Sequence, residues 1–427
     1  MKLTALILTA ALAWGVRAAS SPIEPDSVEK TGDGSIEVTY ELEEDAIVTA
    51  AFEYDGTPIA ADRCWSQSGD INKLVAADPG PCRFRWRADR DHALDGVESV
   101  DAGKLKVTLT AHPKKSPPDY MVVSMVQPGV KLFYASAAAV PNGVTNRRYK
   151  GEYMLFRRIP AAGVIWRMGL DGNSDTCIPH LVKLTADYYI GVYNLTRLQY
   201  YHAQIYGGAA SPAWSGTAIG EGDETWYCAQ NSISPVDFRG GLLWPEGGHT
   251  LTTSACPLGY LRTATGLSQL DLPTDAQWEF AARVGDAPNR TDWANEAAEV
   301  KGQASGRGWY GHWNEAGKNG PIEVGLYPPS KMGLYDLHGN VYDVCLDYLA
   351  GGNDYAVHFA TEPVEDPKGP VRANANKENA NEKCRVCRGG TWSDGSLAEI
   401  GKKPGTNQHE TYAGAFMGFR LVTPLPW

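Results

Sequence analysis

The last third of this chain restricts its architecture most. From residue 285 to 427 no helical period is sustained, and Gly, Trp and Asn recur through short segments. Loop and short strand are expected there, and such a body needs tethering by aromatic packing, disulfides or bound ions. The whole composition points the same way. Its 46 Gly, 27 Pro, 13 Trp and 21 Tyr suit short strands and ordered loops better than a helical bundle.

Two helix starts stand out against that background. In LPTDAQWEFAARVG (272–285) Thr274 precedes Gln277 by three residues, a capping-box spacing, and good helix formers follow. In PHLVKLTADYYIGVYNLTRLQYY (179–201) the pattern predicts two short strands and then a helix from about Thr196. The N-terminal region is different. Residues 35–55, SIEVTYELEEDAIVTAAFEYD, alternate at period two and predict a pair of half-buried strands meeting at Glu43-Glu44-Asp45. With further strands at 82–86 and 105–111 the expectation is a β-sandwich over 20–115. A connector over 116–150 and a second domain over 151–427 follow.

The opening MKLTALILTAALAWGVRAAS has a single Lys2, a short apolar run and small residues near the end. It reads as a secretory signal peptide over 1–18, too short to span a bilayer. A secreted or periplasmic location is therefore expected. The formal charge is −11, and −13 without Lys2 and Arg17. Acidity spread along the chain argues against nucleic-acid partners, and no later stretch predicts a membrane span. Eight cysteines in an exported chain make disulfides the default, and a Cys64–Cys82 bridge is expected around the intervening loop.

Cys384 and Cys387 lie three apart before Gly389-Gly390. On a strand they would face opposite sides and diverge, whereas a vicinal redox pair needs a helix N-terminus or a tight turn, and no βαβ context is present. A zinc half-site would need a second pair nearby. Structural crosslinks are the reading.

LPTDAQWEFAAR, YPPSKMGLYDLHGNVYDVCLDY (327–348), RVCRGGTW (385–392) and GFRLV (418–422) occur in that order. With the 179–201 block they resemble the sulfatase-modifying-factor family, whose founding members are formylglycine-generating enzymes. The resemblance covers about residues 150–427 and implies a loop-rich, C-type lectin-like fold. The expected fold class is thus α+β, an N-terminal β-sandwich followed by a sulfatase-modifying-factor domain.

The founding enzymes hold copper through two cysteines beyond the RGG turn. Those positions map to about Asp394 and Glu399, and no cysteine follows Cys387. Hard carboxylates do not replace soft thiolates for Cu(I), so copper is not expected. A second class within the family, with a helical iron domain, is excluded because none of the nine histidines forms its motif. A third class binds ligands without chemistry, which makes the polar loops over 393–417 the expected surface for a protein, peptide or glycan. The resemblance also implies a structural calcium ion held by Asp336, Gly339, Val341 and Asp343, with a second, weaker site near Asn295, Glu296 and Asn314. The function expected from these observations is a non-catalytic, cation-stabilised binding or scaffold module, the alternative being an oxidoreductase with an unrecognised site.

Weaker motifs carry little. Asp171-Gly172-Asn173-Ser174-Asp175 lacks the glycine and glutamate of an EF-hand loop, and the sequon at Asn194 falls in an expected packed junction.

Overall fold

The computed structural model describes residues 20–77, 80–94, 100–169, 180–213, 222–241, 244–245, 247–283, 320–349, 362–369, 384–392 and 409–427. The expected signal peptide, Asp171–Asp175, Asn295, Glu296, Asn314, Asp394 and Glu399 lie outside these residues.

The N-terminal region is built from β1 (Ser21–Ile23), β2 (Ser27–Lys30), β3 (Ile36–Tyr40), β4 (Ala46–Tyr54), β5 (Thr57–Pro58), β6 (Gln67–Gly69), β7 (Leu74–Val75), β8 (Cys82–Trp86) and β9 (Leu105–Pro113). One sheet runs β1-β9-β4-β5, with β7 also on β4; the other runs β2-β3-β8-β6. Alternate residues of both sheets, among them Val38, Val48, Phe52, Phe84, Trp86 and Leu109, fill one core. Phe52 stacks on Trp86 with ring centroids 4.1 Å apart. The two expected strands, β3 and β4, form on either side of the acidic turn but do not pair with each other. β3 pairs with β2 and β8, whereas β4 pairs along its length with β9. The chain crosses between sheets there, and period-two burial reports a face, not a partner.

Cys64 and Cys82 both lie in this core and are not joined. The expected crosslink is absent: Cys64 Sγ instead faces the Ala60 carbonyl at 3.6 Å, and burial pushes its thiol up to about 12. Packing of the surrounding apolar residues holds the loop.

The remaining strands are β10 (Tyr120–Ser124), β11 (Lys131–Tyr134), β12 (Tyr153–Ile159), β13 (Val164–Met168), β14 (His180–Leu184), β15 (Tyr188–Gly191), β16 (Tyr342–Tyr348), β17 (Val364–Glu365), β18 (Arg385–Arg388), β19 (Met417–Gly418) and β20 (Val422–Pro424). The expected connector proves to be structural. β10 sits inside a five-stranded sheet of order β11-β10-β12-β15-β20. Its run YMVVS is buried throughout because both faces are covered: Met121 and Val123 enter one core, Tyr120 and Val122 another. Ile47 of β4 joins the first of these cores, and Phe133 N donates to Asn72 O at 2.7 Å, so the sandwich rests against this sheet.

Four α-helices are described: α1 (Arg197–Tyr206), α2 (Pro235–Phe238), α3 (Pro257–Thr265) and α4 (Asp275–Ala282). Thr196 with Gln199 and Thr274 with Gln277 form full capping boxes on α1 and α4, at the expected starts. α3 was not anticipated. Its N-cap is Cys256, an unusual choice, while Pro257 at the first turn and left-handed Gly266 at its end follow the common pattern. No described helix is long and apolar enough to cross a membrane. The architecture is α+β, mostly sheet with a few short helices.

α1 meets α3 at Gly207, where an added Cβ would lie 2.3 Å from Ala203 O and 2.4 Å from Tyr260 O. Both obstacles are backbone and cannot rotate away. Gly207→Ala should therefore lower stability by about 1–3 kcal/mol in denaturant unfolding, and an unchanged midpoint would show that the two helices are not held this closely.

Candidate functional site

Of the expected site residues, Asp343 lies on β16, the middle of a small sheet of order β18-β16-β19, and Asp336, Gly339 and Val341 lie in the turn before it. Its antiparallel register with β18 sets Asp343 opposite Arg388 and Val344 opposite Cys387, and β19 runs parallel beside it. Side chains alternate between two cores. Tyr342, Val344, Leu346 and Cys387 enter one; Cys345, Cys384 and Val386 enter the other.

The two neighbouring thiols therefore diverge, as residues three apart on a strand must. Burial pushes the thiols of Cys384 and Cys387 up, and that of Cys345 well up. None is poised as a thiolate. No disulfide links the described cysteines, so the structural crosslinks expected at Cys384 and Cys387 are not formed among them; the thiols serve as small apolar packing groups.

Asp343 is the hub of the sheet's other features. Its carboxylate accepts from Asn194 Nδ2 at 2.6 Å, Trp278 Nε1 at 2.8 Å and Arg420 Nε at 2.8 Å. Arg420 spends its remaining four N–H groups on the carbonyls of Gly191, Val192, Tyr335 and Asp336. Beside this pair, Arg388 bonds Asp275 at 2.6 Å and Glu279 at 2.8 Å. Glu279 in turn accepts from Arg283 and from Gly169 N. The other arginine of β18, Arg385, lies 3.4 Å over the Tyr348 ring and reaches Glu410.

Residues 196–425 match the family model described as the sulfatase-modifying factor enzyme 1-like domain. The chain belongs to this family. It is 32% identical over 126 residues to the formylglycine-generating enzyme of Mus musculus, which is 28% of this chain and 30% of that protein. To the enzyme of the same name from Streptomyces coelicolor it is 34% identical over 126 residues, 28% of this chain and 35% of that protein. The inactive C-alpha-formylglycine-generating enzyme 2 of Mus musculus is 32% identical over 107 residues, 24% of this chain and 35% of that protein. These alignments thus cover about a third of each relative. Among solved structures, Treponema denticola variable protein 1 covers 64% of this chain and 95% of its own at 20% identity, with a TM-score of 0.43.

The metals implied by the sulfatase-modifying-factor family can be tested against these residues. The positions at which the resemblance places copper, Asp394 and Glu399, lie outside the described residues, and the described thiols beside the RGG turn lie in different cores and form no pair. Asp343 does not fit calcium. A cation there would face a guanidinium and two N–H donors, a reversed polarity for an oxygen ligand. Asp336, at left-handed φ 53°, is better placed: its Oδ2 accepts only from Gly325 N at 2.6 Å, and burial pushes its carboxyl up to about 6. The described residues hold no group of three or more His, Cys, Asp or Glu able to bind a metal. His338 and Asn340 belong to the same turn, and Asn340 anchors it by bonding Ile322 N and O. Of the expected ligand loops, residues 409–417 are described, and they are anchored: Trp392 packs on Phe416 at 5.2 Å and Val236 N donates to Glu410 O at 2.9 Å.

Sequence reasoning did not find Asn194, Trp278, Arg388 or Arg420 as members of one network. The available signal was a charged residue at each end of the apolar pair in Arg385-Val386-Cys387-Arg388, since a buried charge demands a partner. The sequon at Asn194 is closed, its amide fully buried on Asp343.

Asp343→Asn should cost about 3–5 kcal/mol by leaving Arg420 buried without its counter-charge, in urea unfolding with or without calcium. If calcium restored the wild-type midpoint in that variant, or chelation alone reproduced the loss, a metal role for Asp343 would be required.

Proposed function

We propose that this chain is an exported, non-catalytic member of its family, a binding or scaffold module whose ligand meets the loops over 393–417. The observation that carries this reading is that no cysteine follows Cys387, and the two thiols before the RGG turn, which diverge into separate cores, form no substitute pair. Copper oxidation of a substrate cysteine needs two thiolates at close approach. At the positions where the family resemblance places them, this chain has Asp394 and Glu399. The inactive mouse relative is in keeping with a member of the family that has no oxidase activity. A cation at the turn around Asp336, Gly339 and Val341 belongs to the same reading, without Asp343 as a ligand, and the N-terminal sandwich acts as an accessory module.

The second reading, an oxidoreductase acting on a protein or peptide, is favoured by the relatives named formylglycine-generating enzyme. One assay separates the two. Purified protein supplied with Cu(I) and oxygen should leave a sulfatase-type cysteine peptide unoxidised, at the level of a no-protein control. It should also bind no stoichiometric Cu(I). Aldehyde formation that requires the protein and copper would establish the second reading.

A further inference from the structure

Two buried arginines beside the core on the Leu346 side of β16 have incomplete hydrogen bonding. Arg239, 0% exposed, grips Asp271 through Nε at 2.9 Å and Nη2 at 2.8 Å, and reaches Gly248 O through Nη2 at 3.1 Å. Its Nη1 has no acceptor. Arg385, 1% exposed, donates through Nη1 to Leu346 O and through Nη2 to Glu410 Oε2 at 3.3 Å, with its plane on Tyr348. Its Nε has no acceptor. α2 ties the two together, because Arg239 follows it directly and Val236 of α2 is bonded to the Glu410 backbone. Burial pushes the Arg385 guanidinium below the usual arginine range, against the opposing pull of Tyr348 and Glu410, and the Arg239 charge adds a smaller push in the same direction as burial.

Among the described residues, the charges around them do not balance. Asp271 is shared with Arg262, at 3.3 Å, and with His249, at 2.9 Å. Arg262 spends its other N–H groups on Leu270 O and His249 O. Three guanidiniums, of Arg239, Arg262 and Arg385, thus face the two carboxylates of Asp271 and Glu410 among the described residues. Asp347 lies on the other side of β16, where it accepts from Asp275 N, and Lys368, over the Trp244 ring, adds only positive charge. Buried N–H groups left without acceptors cost free energy individually, and an uncompensated buried charge costs more.

We propose that a monovalent inorganic anion of the chloride class is held between Arg239 Nη1 and Arg385 Nε. It would supply the missing acceptor to both and cancel the excess charge. A water would satisfy the hydrogen bonds but leave the charge. A larger oxyanion is disfavoured by the full enclosure of both nitrogens.

The test uses the full chain and chloride itself. At fixed pH and ionic strength, replacing gluconate by chloride should raise the melting temperature on the order of 2–4 °C and saturate. Arg239→Gln should lose the response, while a variant at a surface arginine, Arg85→Gln, should keep it. A crystal soaked in bromide should show an anomalous peak within hydrogen-bond reach of both nitrogens. If Arg239→Gln does not fold, the bromide map and the wild-type titration decide. A flat chloride response, a water with no anomalous signal, or a peak without a melting shift (an adventitious ion only) would each overturn the proposal.

Discussion

The bond on which the C-terminal architecture turns is the ion pair of Asp343 and Arg420. Arg420 is completely buried, yet each of its five donors has an acceptor. Four of these acceptors are backbone carbonyls, at the end of β15 and in the turn before β16. The fifth is Asp343 on β16 itself. One planar guanidinium thereby fixes three stretches of chain that share little regular hydrogen bonding. A lysine, with three donors on a flexible stem, could not replace it. Such a pair contributes little net stability against an apolar substitute, because desolvation offsets the attraction. Its effect is to exclude other arrangements of a loop-rich body.

That arrangement determines what the rest of the sheet can do. With β16 held centrally, its neighbours must satisfy two cores at once, and every second residue of β18 belongs to a different one. Cys384 and Cys387 are separated by this alternation, and their burial disfavours thiolates. The carboxylate best placed by sequence to bind calcium is occupied as a counter-ion instead. Buried arginines flank the sheet on both sides, Arg239 and Arg385 beside one core and Arg388 beside the other.

Local features were legible in the sequence. The starts of α1 and α4 follow from Thr196 with Gln199 and Thr274 with Gln277, because a capping box lies within four residues. The divergence of the Cys384 pair follows from strand geometry alone. Features set by distant partners were not legible. The strands 36–40 and 46–54 show their buried faces but not the sheets they join. The YMVVS run reads as a connector until strands on both sides and both faces are known. Asp343 stands beside a glycine turn like a cation ligand, while its donors come from residues 149, 65 and 77 positions away. α3 escaped because a cysteine, not Ser, Thr, Asp or Asn, caps it.

A double-mutant cycle across Asp343 and Arg420 addresses the tether directly. Denaturant unfolding of Asp343→Asn, Arg420→Met and the double variant isolates their interaction from their separate packing. The structure predicts non-additivity, with a coupling of about 1–3 kcal/mol, so that the double variant loses less than the sum of the two single losses. Two losses that simply add would mean that the pair is incidental and that the sheet is organised by something else.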